Sequence, residues 1–159
     1  MEHRVTALVQ FYRLVQTERM QGVPILNPAL SVEAVGFQWG DDGQTVAEGV
    51  LITPWFMSLV RLPVAWEDHR GRVGRKAVRD FGNERFEFIG AHDPALGYHE
   101  TCALFSPMGG FATQAQASET AEASLALLRP APAPVPAAKP VPARRAFFTG
   151  RRGAPGFLA

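Results

Sequence analysis

The sequence has only one cysteine, Cys102, among its 159 residues. A single thiol cannot form an intrachain disulfide, and it is too few for a zinc ribbon or a rubredoxin-like site with four cysteines. We therefore expect a protein of a reducing compartment, the cytoplasm, with no metal and no other cofactor.

Long uninterrupted apolar runs are also missing. The first 20 residues interleave apolar side chains with Arg4 and Gln10, so they lack the apolar region of a secretory signal. The most apolar stretch, residues 51–64, contains Pro54 and Arg61 and is shorter than the roughly 20 residues that span a bilayer. We expect no membrane insertion.

Net charge is nearly absent as well, because 16 Lys and Arg residues stand against 15 Asp and Glu residues. A formal charge of +1 gives little attraction to nucleic acid, so we expect no nucleic-acid partner. Residues 1–129 carry 11 basic and 15 acidic residues, a net charge of −4, whereas residues 130–159 carry 5 basic and no acidic residues. The second part begins with six prolines among residues 130–142. The sequence thus predicts one domain over 1–129, an extended, disordered Ala/Pro-rich tether over 130–143 and a basic aromatic tail over 144–159.

The apolar residues of the predicted domain follow two periods. A stripe at three- and four-residue steps predicts a helix over about residues 2–20, and a capping box at Thr113 and Gln116 begins a second helix over about 114–129. Alternation with a period of two predicts about five strands, near residues 31–39, 45–53, 55–62, 84–91 and 98–105. No helix separates the strands, so we predict an α+β fold with an antiparallel meander sheet.

Strand phase also predicts the core. Val35, Phe37 and Trp39 are expected to share one face of the first strand. The residues expected to be largely buried between the sheet and the helices are Phe37, Trp39, Val50, Ile52, Phe86, Phe88 and Leu104.

Groups that could carry chemistry do not converge in this pattern. His99 and Cys102 are three residues apart on a strand, so they point to opposite faces, and we expect Cys102 to be a small buried residue. The carboxylate pairs Asp41–Asp42 and Glu67–Asp68 lie in polar turns, where solvated charge is the ordinary explanation. We therefore predict no catalytic site.

The apolar segment 51–63 has two interpretations. Its apolar residues lie on both faces of an extended chain, more than one sheet face under two helices can bury. Trp55 and Phe56 are therefore either core residues beneath the N-terminal helix or part of an exposed aromatic and methionine patch that docks another protein. The residues predicted for that patch are Thr53, Pro54, Trp55, Phe56 and Met57.

The basic tail also has two interpretations, an unstructured terminus or an adhesive arm. Arginine binds carboxylates in a bidentate way, and an aromatic pair gives such a segment apolar surface to bury. An RNA-binding arm is disfavoured because the preceding domain is acidic. The residues predicted to bind a partner are Arg144, Arg145, Phe147, Phe148, Gly150, Arg151 and Arg152.

Three motifs occur in a fixed order: LITPWFMS at 51–58, CALFSPM at 102–108 and RRAFFTGRR at 144–152. In order and spacing the chain resembles the nickel-iron hydrogenase assembly chaperones of the HybE/HupJ type. Its long Ala/Pro-rich tether departs from that pattern. Some hydrogenase accessory proteins carry a rubredoxin domain, and the lone cysteine excludes one in these residues.

The resemblance implies a non-catalytic cytoplasmic chaperone. Its partners would be hydrogenase precursor subunits, the small iron-sulfur subunit, the large nickel-iron subunit or both, held during cofactor maturation and before twin-arginine export. The alternative is a small-ligand-binding or enzymatic α+β domain with a pocket between the sheet and the helices.

Overall fold

Two helices and six strands make up residues 1–129, the part of the chain that the computed structural model describes. The predicted α+β fold, with a helix on each side of the strands in sequence, is confirmed. The expected tether at 130–143 and tail at 144–159 lie outside the described residues. In chain order the elements are α1 (Glu2–Glu18), β1 (Glu33–Trp39), β2 (Val46–Ile52), β3 (Met57–Pro63), a 3-10 turn (Arg70–Arg72), β4 (Lys76–Phe81), β5 (Glu84–Asp93), β6 (Gly97–Phe105) and α2 (Gln114–Leu128).

The strands form one antiparallel sheet in the order β1-β2-β3-β6-β5-β4. This order corrects the simple meander, in which each strand lies beside the next one in sequence. Residues 64–75, which carry the 3-10 turn, take the chain from β3 to the far edge of the sheet, and β5 and β6 then fill the space between. The pairing of β5 with β6 confirms the predicted second hairpin.

The structure has six strands instead of the predicted five, because β4 was not among the predicted strands. Only Phe81 is buried among its six residues, while Lys76, Val78 and Asp80 are exposed. An edge strand of this kind has a weak apolar alternation, because one of its faces and one of its edges meet solvent.

The two helices cover opposite faces of the sheet. In β2, Val50 and Ile52 pack in the cluster that contains α2 residues, whereas Leu51 packs in the cluster that contains α1 residues. In β3, Leu59 and Val60 are divided between the same two clusters. The central strands are thus buried on both faces, which is why 51–63 is apolar on both faces. The core on the two faces of the sheet therefore buries most of the apolar surface of this segment that was expected to be in excess.

A bulge at Gly36 changes the face of β1. Val35 packs on the α2 side and Phe37 packs on the α1 side, although residues two positions apart in a regular strand lie on the same face. Gly36 has φ +64°, and a Cβ there would lie 2.4 Å from Cδ1 of Leu125 on α2. The expectation that Val35, Phe37 and Trp39 share one face was wrong, and Phe37 and Trp39 are only partly buried.

Of the other residues predicted for the core, three are fully buried and two are partly buried. Val50, Ile52 and Phe88 are fully buried, as expected. Phe86 and Leu104 are partly buried and pack against the α2-side cluster. Neither is solvent-exposed, so the predicted phase of β5 and β6 is confirmed.

Specific polar contacts fix the two helices. The buried guanidinium of Arg4 on α1 donates to the carbonyl oxygens of Pro63 (3.0 Å) and Leu96 (2.8 Å). The hydroxyl of Thr113 accepts a hydrogen bond from the backbone N–H of Gln116 (3.1 Å), which confirms the predicted start of α2. Within residues 1–129, neither helix is long and apolar enough to cross a membrane.

Candidate functional site

The predicted docking segment forms the tight turn between β2 and β3. The Thr53 hydroxyl oxygen accepts hydrogen bonds from the backbone N–H groups of Trp55 (3.2 Å) and Phe56 (2.9 Å). The backbone N–H of Thr53 donates to the carbonyl oxygen of Phe56 at 2.8 Å. Thr53 and Pro54 are both buried, so their role in this turn is to fix the backbone that carries the aromatic side chains.

Only the two aromatic residues of the segment reach the surface. Trp55 and Phe56 are partly buried and pack edge to face, with ring centroids 5.6 Å apart. Phe56 also packs edge to face against Tyr12 of α1, at 5.6 Å. Met57 is fully buried in the α2-side core, so its place in an exposed patch is corrected. Phe56 packs against the α1-side core and Trp55 packs on Phe56, and both residues are partly exposed. Docking of another protein on their exposed parts remains a prediction.

Asn27 joins this turn to two connecting segments. Its backbone N–H donates to the carbonyl oxygen of Pro54 (2.9 Å), which places the α1–β1 connection against the turn. Its side-chain amide donates to the carbonyl oxygens of Met108 (2.9 Å) and Phe111 (2.7 Å) in the β6–α2 connection. One residue, through its backbone and its side chain, therefore links three segments that are distant in sequence.

A shallow apolar groove lies between the two connections and has a cavity volume of about 460 Å³. Ile25, which is 50% exposed, forms part of one wall. Phe111 contributes to the other wall and packs against Phe105 at 5.3 Å. The groove is lined by Pro24, Ile25, Leu26, Asn27, Pro28, Ala29, Pro107, Gly109, Phe111 and Ala112. We call it the proline-lined groove.

Two of the three sequence motifs meet beside this groove. The first motif contains Met57 and the second contains Phe105, and these residues are paired across β3 and β6. The second motif continues into Pro107 and Met108, next to the groove. The groove was not predicted from the sequence, although prolines at 24, 28 and 107 mark its walls.

A row of alternating charges occupies another part of the α2-side sheet face. Arg61 donates to Glu48 (2.9 Å) and to Glu100 (2.8 Å), and Arg79 donates to both oxygens of Glu100 (3.1 and 2.9 Å). The Tyr98 hydroxyl donates to Glu100 at 2.9 Å. Burial raises the pKa of Glu100, but the hydrogen bonds from Arg79, Tyr98 and Arg61 outweigh it and leave the pKa lowered. Glu100 is therefore held as a carboxylate.

His99 and Cys102 lie on opposite faces of β6, as predicted. His99 is buried beneath α1, where its Nδ1 lies 3.3 Å from the carbonyl oxygen of Gly97 and its Nε2 lies 3.1 Å from the Tyr12 hydroxyl. Since a carbonyl only accepts, Nδ1 carries the proton and Nε2 accepts from Tyr12. Burial lowers the pKa of His99 to about 4, which keeps the ring neutral at physiological pH.

Cys102 packs against the α2-side core, but it is partly rather than fully buried, which corrects the expected burial. Burial raises the pKa of its thiol, and the nearby charge of Glu87 adds to that rise. Within residues 1–129, no group of three or more His, Cys, Asp and Glu side chains is placed to hold a metal ion.

The predicted partner-binding residues of the tail lie outside the described residues. They are Arg144, Arg145, Phe147, Phe148, Gly150, Arg151 and Arg152. Their role remains a prediction.

Comparison with known protein families identifies the family of this chain. Residues 3–150 match the family model described as NiFe-hydrogenase assembly, chaperone, HybE. The chain belongs to the HybE family of nickel-iron hydrogenase assembly chaperones. The match includes the first two motifs and residues 144–150 of the third, so the resemblance stated from the sequence is confirmed.

Individual proteins similar to this chain support the assignment. The Protein HoxT of Cupriavidus necator is 43% identical over 163 residues, which covers 94% of this chain and 89% of that protein. The Probable rubredoxin HupJ of Rhodobacter capsulatus is 41% identical over 121 residues, which covers 76% of this chain but only 42% of that protein. The solution structure of HybE from Escherichia coli superposes with a TM-score of 0.58 at 18% identity, covering 94% of this chain and 90% of the other. At that identity the last comparison shows a shared fold.

Proposed function

We propose that this HybE-family chaperone binds precursor subunits of a nickel-iron hydrogenase in the cytoplasm. Binding would last while cofactors are inserted and would end before twin-arginine export. Membership of the family supports a role in hydrogenase assembly, and it implies a non-enzymatic one. The partners are the small iron-sulfur subunit, the large nickel-iron subunit or both.

The proline-lined groove is the observation that carries this proposal. It is concave, its walls are largely apolar, and Asn27 ties both walls to the β2–β3 turn. A subunit that still lacks cofactors or its partner subunit exposes apolar chain, and an apolar groove with a few polar groups suits such a segment. We propose that the groove takes an extended apolar segment of the precursor.

Trp55 and Phe56 are a second proposed contact, and they directly follow Pro54, whose carbonyl oxygen accepts a hydrogen bond from Asn27 of the groove. Aromatic side chains commonly anchor protein interfaces, because they bury a large area at a small cost in side-chain entropy. Thr53, Pro54 and Met57 support the two rings from inside the protein. In this proposal Trp55 and Phe56 contact the precursor, and Thr53, Pro54 and Met57 position them.

We propose a supporting electrostatic role for the tail. Its arginines, Arg144, Arg145, Arg151 and Arg152, would meet carboxylates on the client, and Phe147 and Phe148 would pack beside them. The charge division of the sequence supports this role, since residues 130–159 carry all their charge as cations.

Binding to the two separately purified precursor subunits tests the groove. Ile25→Asp places a charge in the groove wall, and Leu127→Asp is a matched control because Leu127 is 80% exposed near the other end of α2. We expect Ile25→Asp to weaken binding about tenfold and the control to change it less than about twofold. Equal effects of the two variants would contradict the proposal that the groove binds the precursor. Failure of the wild type to bind either subunit would contradict the proposed function.

Deleting residues 144–159 tests the tail. Binding should weaken at low ionic strength, and the difference from the wild type should shrink as salt screens the attraction. Unchanged client binding and unchanged hydrogenase maturation would remove the tail from the mechanism.

The export part of the proposal needs a measurement in cells. In cells without this chaperone, we expect an increased fraction of cofactor-free precursor to be exported through the twin-arginine pathway. Fractionation with detection of the precursor measures this. An unchanged exported fraction would restrict the proposal to cofactor maturation.

A further inference from the structure

The loop before β4 and the strand itself form a second cleft, in which every charged residue is basic. Its cavity volume is about 310 Å³. It lies beside the row of alternating charges and shares Arg79 and Tyr98 with it. Its lining residues are Arg72, Arg75, Lys76, Ala77, Arg79 and Tyr98, and we call it the basic cleft.

The cations of the basic cleft are not all neutralised. Arg79 is paired with Glu100, and the Lys76 ammonium lies 3.8 Å from a carboxylate oxygen of Glu87. Arg72 and Arg75 have no carboxylate within 4.0 Å among residues 1–129. Two positive charges therefore remain for a ligand, although residues 1–129 as a whole carry −4.

Tyr98 gives the cleft an ordered aromatic surface. The Arg72 guanidinium lies 5.6 Å from the centre of the Tyr98 ring, within the distance of a cation–π contact. The Tyr98 hydroxyl is itself held by Glu100 at 2.9 Å. Arg72 is thus positioned over a fixed ring, so that less side-chain entropy is lost when it binds an anion.

The position of β4 favours a peptide over a free anion. β4 is the last strand of the sheet, and it has no neighbour on its outer edge within the described residues. The backbone of an extended peptide can pair with such an edge, and alternate side chains of that peptide then point to the same face of the sheet. Acidic side chains at every second position would reach the α2-side face, where Arg79 lies.

We propose that the basic cleft binds an extended acidic segment of the hydrogenase precursor, with carboxylates at alternate positions contacting Arg72 and Arg75. This inference rests on the proposed function for the identity of the client. It adds a second contact of different chemistry, because the proline-lined groove takes apolar chain and the basic cleft takes carboxylates. An RNA phosphate backbone is the competing ligand, and the net negative charge of residues 1–129 opposes it.

A peptide pair and a charge-matched variant pair test the basic cleft in the full-length protein. The peptides are a ten-residue sequence of alternating Glu and Val and the same sequence with Gln for Glu. Arg72→Gln with Arg75→Gln removes the two free cations, and Arg13→Gln with Arg19→Gln removes two exposed cations in and just after α1. Circular dichroism and thermal melting show that each variant is folded.

At about 0.05 M salt the wild type should bind the Glu peptide about tenfold more tightly than the Gln peptide. The cleft variant should lose about that factor for the Glu peptide, while the control variant should change less than about twofold. At about 0.5 M salt, the difference between wild type and cleft variant should fall below about threefold. Equal binding of both peptides, an equal loss in the control variant, or an RNA ten-mer bound as tightly as the Glu peptide would overturn the inference.

Parallel binding to the precursor subunits separates this inference from the proposed function. If the wild type binds a subunit and the cleft variant binds it equally well at low salt, the acidic contact is wrong and the proposed function stands. If the wild type binds the Glu peptide through Arg72 and Arg75 but binds neither subunit, the charge chemistry of the cleft stands and the hydrogenase client is wrong.

Discussion

Removing the side chain of Asn27 should loosen the end of the molecule that contains the proline-lined groove. Its amide nitrogen donates to the carbonyl oxygens of Met108 and Phe111, and its oxygen accepts from the backbone N–H of Ala29 at 3.0 Å. Asn27→Ala removes these three contacts and keeps the backbone hydrogen bond to Pro54. The β6–α2 connection then loses its two hydrogen bonds to the α1–β1 connection.

The loss of stability can be estimated from these contacts. A neutral hydrogen bond contributes about 1 kcal/mol to the free energy of unfolding, and water can replace the exposed contact at Ala29 but less easily the two partly buried ones. We expect Asn27→Ala to lower the free energy of unfolding by about 2 kcal/mol. For a domain of this size that corresponds to a fall of roughly 8 °C in the melting temperature. Thermal unfolding followed by circular dichroism measures it.

Asn83→Ala is a matched control. Asn83 lies in the exposed turn between β4 and β5, and its backbone N–H donates to Leu128, a contact that the substitution keeps. Its effect should stay within about 0.5 kcal/mol. Asn27→Ala should also weaken binding of precursor subunits, whereas Asn83→Ala should not. A melting temperature of Asn27→Ala equal to that of the control would refute the role assigned to Asn27.

Three further predictions concern Cys102, the β4–β5 turn and the row of alternating charges. Cys102→Ala should leave client binding and hydrogenase maturation within a few-fold of the wild type, because replacing a small side chain at a partly buried site costs little stability. Loss of maturation with normal protein abundance would contradict this prediction. Gly82→Ala should destabilise the protein by more than about 2 kcal/mol in urea unfolding, because the residue has φ +62° and a Cβ would lie 2.0 Å from the carbonyl oxygen of Leu128. An unfolding midpoint equal to that of the wild type would show that the turn accommodates the added Cβ without loss of stability. The lowered pKa of Glu100 means that its contribution is fully present above its ordinary pKa of 4.5 and is lost as pH falls through the lowered value. Glu100→Gln, which weakens the pairing with Arg79, should therefore be less stable at pH 7, and its free energy of unfolding should depend less on pH below about pH 4.5. The same pH dependence in the variant and the wild type would contradict this role of Glu100.

The candidate site was only partly predictable from the sequence. The segment around Trp55 and Phe56 was found because its apolar pattern is unusual, but the burial of Met57 follows from strand phase inside a sheet covered on both faces. The proline-lined groove was missed because its walls come from connections about 80 residues apart, joined by Asn27 to Met108 and Phe111. Such contacts leave no periodic signal in the sequence.

By itself the sequence determined the helices, most of the strands, the opposite faces of His99 and Cys102, and the family, because periodicity, capping and motifs are local properties of the chain. Only the tertiary structure decided that α1 and α2 cover opposite faces and that β6 lies between β3 and β5. It also decided which connections meet at the groove and which cations remain unpaired beside β4. The physical reason is that strand order, the bulge at Gly36 and packing on both faces of the sheet depend on contacts between residues far apart in sequence, where the apolar pattern of any one segment is compatible with several arrangements.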